Sequence, residues 1–166
     1  MKHVILGVIM FAAFILQNVI TSHIEILGIA PSLMLVLIVA YALFSDNVWE
    51  SVIYSAVGGA LCDILWGRVF GFGFILMIYV GVGVYYAGEY FYKHTQTKAA
   101  ILTFLATLIL ESVFYAANFT LFGDGRFLYV FFRIIVPAGA YNAVIQILVY
   151  SVLASALHRK KESESA

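Results

Sequence analysis

Of the charged side chains within the long apolar runs of this 166-residue chain, three are the starting points for any chemistry. Asp63 lies near the end of the run Val48–Trp66, Glu111 in the middle of Ala99–Phe122, and Arg133 just before Pro137. A carboxylate held in lipid costs roughly 2.5–3.5 kcal/mol on insertion scales, so each must be paired, protonated or near water. For Asp63, close to a run end, two readings fit. It caps the turn around Gly67 or pairs with a cation, or it contacts a partner or substrate. Glu111 has Thr107, Tyr115 and Asn118 near its own helix face, and a Glu111–Arg133 contact is the sharper expectation. The plainer one is a neutral Glu111 bonded to a neighbouring hydroxyl.

Small and polar residues fall into rows. Ser51, Ser55, Gly59, Asp63, Gly67 and Gly71 recur every four residues. That spacing keeps them near one face of a helix. Small side chains there let a second helix approach closely, whether from this chain or from a partner. Ala138, Asn142, Gln146 and Tyr150 form a similar row. Asn and Gln within a membrane bridge helices at about 0.6–2 kcal/mol each, or line a ligand pocket. Gln17, Asn18 and Thr21 admit the same two readings.

Recognisable catalytic patterns are missing. The chain has no phosphate-cradling GxxxxGK[ST] loop and no HExxH metal pair, and Asp63 and Glu111 form no paired-carboxylate motif. His3, His23, His94 and His158 fall at run edges or between runs, and Cys62, the sole cysteine, reads as a small packing residue. No cofactor and no metal is expected, and the zero net charge suggests no nucleic-acid partner. Asn118-Phe119-Thr120 matches a glycosylation sequon but lies within an apolar run.

The elements that must position these residues follow from composition. The chain is 64% hydrophobic and 11% charged, against roughly 45–50% apolar and about 25% charged in soluble domains. Mean hydropathy is +1.02. A soluble fold of this size could not hide so much apolar surface, so lipid is the second solvent. The apolar runs are Val4–Thr21, Ile29–Phe44, Val48–Trp66, Phe72–Tyr92, Ala99–Phe122 and Phe127–Leu157. In lipid every backbone amide must be paired within the protein, which leaves helices or a closed barrel. Barrel strands alternate over about 10 residues, and these runs do not. The expectation is an all-α polytopic membrane protein of about six transmembrane helices. Residues 1–158 form one transmembrane domain, and 159–166 a basic, then polar, tail. The first run reads as an uncleaved span, since no A-x-A-like exit follows it. Pro137 divides the last run, and the favoured reading is a lateral segment around Phe127–Val136 leading into a span of about Ala138–Leu157.

Lys and Arg set the orientation. With six spans, Lys2, Lys93, Lys98, Arg159, Lys160 and Lys161 share one side, against Arg68 and Arg126 on the other. Both termini are therefore expected in the cytoplasm.

Ala30-Pro31-Ser32-Leu33 entering a span, then Gly58-Gly59-Ala60-Leu61-Cys62-Asp63-Ile64-Leu65 and Gly67 with Gly71, resembles the rod shape-determining protein MreD family. Pro31, Gly59, Asp63 and Gly67 match its motif positions. The order of spans, the length and the ending Pro137, Asn142, Tyr150 also look like that family. Ala60-Leu61-Cys62 departs from the more leucine-rich stretch usual before the aspartate. The resemblance implies a non-enzymatic subunit of the bacterial cell-elongation machinery in the inner, cytoplasmic membrane. It implies direct docking of the bitopic partner MreC. MreB, RodA and a class B penicillin-binding protein would be further members of a complex supporting peptidoglycan synthesis. It also implies a fold similar to the S components of energy-coupling-factor vitamin transporters. Glu111, Arg133, Asn142 and Gln146 rest on the residue-level reading alone. A substrate-binding S component of a vitamin transporter is the alternative function, with Asn142, Gln146 and Glu111 lining its pocket.

Overall fold

The computed structural model describes residues 2–23, 31–66, 71–90, 95–122 and 127–164, and among them every regular element is helical. The order is α1 (Lys2–His23), α2 (Leu33–Phe44), α3 (Val48–Trp66), α4 (Phe72–Tyr90), α5 (Gln96–Phe122), α6 (Phe127–Val130), a π-helical turn (Phe131–Ile135) and α7 (Val136–Glu164). The last three join end to end, so the described residues make six helical rods. Phe72–Tyr90, Gln96–Ala117 and Phe127–Val152 are long and apolar enough to cross a membrane.

The centre of the bundle is α2. Met34, Leu35, Val36, Ile38, Val39 and Ala40 are each at most 1% exposed. Those positions point in all directions around the axis, so α2 is enclosed on every side. It packs against α1, α3, α4, α5 and α7. Its 12 residues rise only about 18 Å, short of the roughly 30 Å hydrocarbon layer. The expected second span from Ile29 is thus a shorter core helix in the described part, and residues 24–30 lie outside the description.

Around this core, α3 and α4 form an antiparallel pair. Ser51 meets Gly81, while Asp63, further along α3, meets Gly73, earlier on α4. The α5 helix and the returning arm are likewise antiparallel, with the Tyr115 ring tilted against that of Phe127 and Thr107 bonded to Asn142. Outward faces are apolar: Trp49, Ile53, Ile75, Ile109, Leu148 and Val152 are all more than half exposed. Polar groups lie inside and apolar groups outside, the arrangement that suits a lipid solvent.

The expected lateral segment at Phe127–Val136 is not seen. Helix runs through from Phe127 to Glu164, and Pro137 is absorbed by the π-turn before it. Proline has no N–H and its ring crowds the carbonyl four residues back, here that of Arg133. Widening the turn relieves both problems. The Val136 N–H reaches the Phe131 carbonyl, five residues back.

Candidate functional site: two buried polar seams

The first seam joins α3 to α4. Asp63 is 5% exposed, and its carboxylate accepts three backbone N–H groups at the start of α4. Oδ2 takes those of Gly71 and Phe74 and Oδ1 that of Gly73, each at 2.9 Å. A helix start carries unpaired donors and a partial positive charge, and one buried anion answers both. Gly71 has φ +94°, a conformation that other residues rarely adopt, and this turns its N–H towards the carboxylate. A Cβ on Gly73 would collide with the Asp63 oxygen. Of the two readings for Asp63, the geometry selects the cap, on a helix start later in the chain than Gly67. Gly67 itself lies outside the described residues.

The rest of the row zips the same seam. Ser51 Oγ donates to the Gly81 carbonyl at 3.0 Å, and a Cβ on Gly81 would run into the Ser55 hydroxyl. A Cβ on Gly59 would stand 2.7 Å from Phe74 Cα. Ser51 and Ser55 are each 1% exposed. The face on which a partner could have docked is therefore occupied by α4 of the same chain, because small side chains serve any helix that can reach them, and α4 is tethered beside it.

The second seam surrounds the start of α2. Pro31 is buried, and Ser32 makes no cap with its own side chain. Caps come from two other helices. Asn142 Oδ1 accepts the Ser32 N–H and Gln17 Oε1 accepts the Met34 N–H, both at 2.9 Å. Asn142 Nδ2 donates onward to Thr107 Oγ1 at 3.2 Å. The hydroxyls of Thr107 and Thr103 donate one turn back along α5, at 2.8 Å each. The start of a helix at this depth has no water to meet its donors, so side chains supply the acceptors. The side chains of Asn18 and Thr21 lie outside the description.

Other expected residues are not brought together. Gln146 is 0% exposed and neither amide atom has a hydrogen-bond partner. One turn on, Tyr150 stacks on Phe44 with ring centroids 4.8 Å apart. Glu111 and Arg133 do not pair. Arg133 is exposed, its guanidinium 5.3 Å from the centre of the Tyr129 ring. Glu111 is half-buried without a hydrogen-bond or ion-pair partner among the described residues. Adjacent runs in sequence fix only that two helices pack, not which faces meet.

Sequence reasoning missed Thr103 and the Tyr41–Glu50 contact at the turn between α2 and α3. There the Tyr41 hydroxyl donates to Glu50 at 3.3 Å. A tyrosine nine residues before a glutamate, across Ser45-Asp46-Asn47, was the available signal. No cluster of three metal-ligating side chains occurs among the described residues. Among the described residues Asp63 is the most buried carboxylate, and three backbone N–H groups of its own chain already engage it. These seams can hold helices in register.

A model of the rod shape-determining protein MreD family matches residues 1–160. The chain belongs to the MreD family. Membership gives it a role in rod shape determination, and its three long apolar helices suit a membrane protein. Comparison with curated proteins and with solved structures finds no match. Within this MreD-family chain, Pro31, Gly59 and Asp63 all serve the two seams: Pro31 precedes α2, Gly59 admits α4, and Asp63 caps it.

Proposed function

We propose that this MreD-family chain is a multi-pass scaffold of the cell-elongation machinery that docks the single-span partner MreC in the inner membrane. Its rods form a multi-pass bundle around the short, enclosed α2, with both termini in the cytoplasm. MreB, RodA and a class B penicillin-binding protein are further members of the complex, which supports peptidoglycan synthesis along the cell body. One observation carries the reading: Asp63, Ser51, Asn142 and Gln17 are all taken by backbone groups of this chain. Outward recognition is thereby left to the apolar flanks of the helices, which suits packing against another membrane helix. The S-component alternative loses Asn142, which already serves Ser32 and Thr107, and is left with Gln146 and Glu111.

Co-expression with tagged MreC and purification in nanodiscs tests the proposal. Retention of the chain on MreC, with loss of rod shape in its absence that no vitamin feeding repairs, is expected. Rescue of shape by feeding, or no retention, would overturn it.

A further inference from the structure

We propose that Glu111 is the docking point for a Lys or Arg in the membrane helix of the partner, seated along the seam between α5 and the π-turn. This rests on the scaffold reading above and specifies where the partner sits. Glu111 lies about 22 Å along α5 from Gln96 and about 16 Å from Phe122, far from either end. Its own row shows which way it faces. One turn before it, Thr107 bonds to Asn142, and one turn after it, the Tyr115 ring lies tilted against Phe127. Both contacts are with the returning arm, so Glu111 lies on the α5 flank beside that arm. It is nevertheless half-buried, not enclosed, and no donor in the described residues meets it.

Three donors near it among the described residues are engaged elsewhere. Thr107 gives its proton to the Thr103 carbonyl, Asn142 gives its amide to Thr107, and the Arg133 guanidinium lies over Tyr129. A carboxylate at this depth without a partner is costly, and intramembrane ionisable groups generally mark a functional contact. Lipid tails offer no donor. A metal ion would need further ligands, and no group of three occurs among the described residues. A basic side chain on a neighbouring helix has the same problem in lipid with the opposite sign, so each group solves the other's. Leu128 and Phe132 on the arm, 70% and 68% accessible, leave it an apolar face open to a neighbouring helix.

The test uses the full chain co-expressed with MreC in nanodiscs. Glu111→Gln keeps the shape and removes the charge. It should retain MreC at least about tenfold more weakly while the thermal midpoint of the isolated chain holds. Glu111→Lys should abolish retention, and one charge reversal among the basic residues within the partner's span should restore it. Wild-type retention by Glu111→Gln, or no restoring reversal, would overturn the proposal and leave the scaffold reading standing. Failure of the wild-type chain to retain MreC would remove both.

Discussion

Asp63 and Gly73 are joined by a hydrogen bond of 2.9 Å from the glycine N–H to the carboxylate, across the close approach of α3 to α4. Neither residue tolerates replacement without loss of the other's role: the carboxylate needs the donor, and the donor is reachable because glycine has no side chain in the way.

Asp63→Ala should therefore destabilise the chain more than its small change in volume suggests. Three N–H groups lose their acceptor at once, at about 1–3 kcal/mol for each left dry. Thermal or denaturant unfolding in mild detergent measures this, and Asp63→Asn should fall between wild type and alanine. A wild-type midpoint for Asp63→Ala would show that the cap carries no weight.

Gly59→Leu is expected to damage folding rather than docking. Even a Cβ at Gly59 meets Phe74 backbone at 2.7 Å, so the α3–α4 seam must open. Overpacking of this kind costs typically about 1–3 kcal/mol, and more against backbone. Lower yield and a lower thermal midpoint are the expected signs. A well-folded variant that loses only MreC retention would return this face to the partner.

Asn142 and Gln146 stand one turn apart on α7 and should respond in opposite directions. Asn142→Leu leaves the Ser32 N–H without its acceptor and removes one of the two hydrogen bonds of the Thr107 hydroxyl, a loss of about 1–3 kcal/mol. Gln146→Met removes an amide that has no partner and keeps the volume, so stability should hold or rise by about 1 kcal/mol. Paired unfolding midpoints decide it. Equal losses at both positions would mean that Gln146 is bonded.

Gln17 and Asn142 cap the same helix start from opposite neighbours, which predicts coupling. Amide exchange at Ser32 and Met34 should quicken in Gln17→Leu and in Asn142→Leu, with the double variant departing from additivity by about 0.5 kcal/mol or more. Unchanged exchange at both amides would contradict the capping.

The helical character of the chain was legible without coordinates, because lipid leaves a backbone amide few partners and the runs are too uniform for strands. So was the row Ser51, Ser55, Gly59, Asp63 as a packing face, since four-residue spacing and small size are properties of the sequence itself. Pro137 shows the limit of such reading. Its missing N–H was visible, but whether the chain would bend away or widen into a π-turn depends on what packs on either side.

What the order of residues determined by itself was therefore local: which stretches coil, which positions share a face, and which polar atoms must find a partner. Which partner each found was decided by the tertiary arrangement. Asp63 took donors eight to eleven residues on, Asn142 took one 110 residues away, and Arg133 turned from Glu111 to Tyr129. The reason is physical. Helix periodicity sets directions around one axis, whereas distances between atoms on different axes depend on how every rod in the bundle rotates to bury α2.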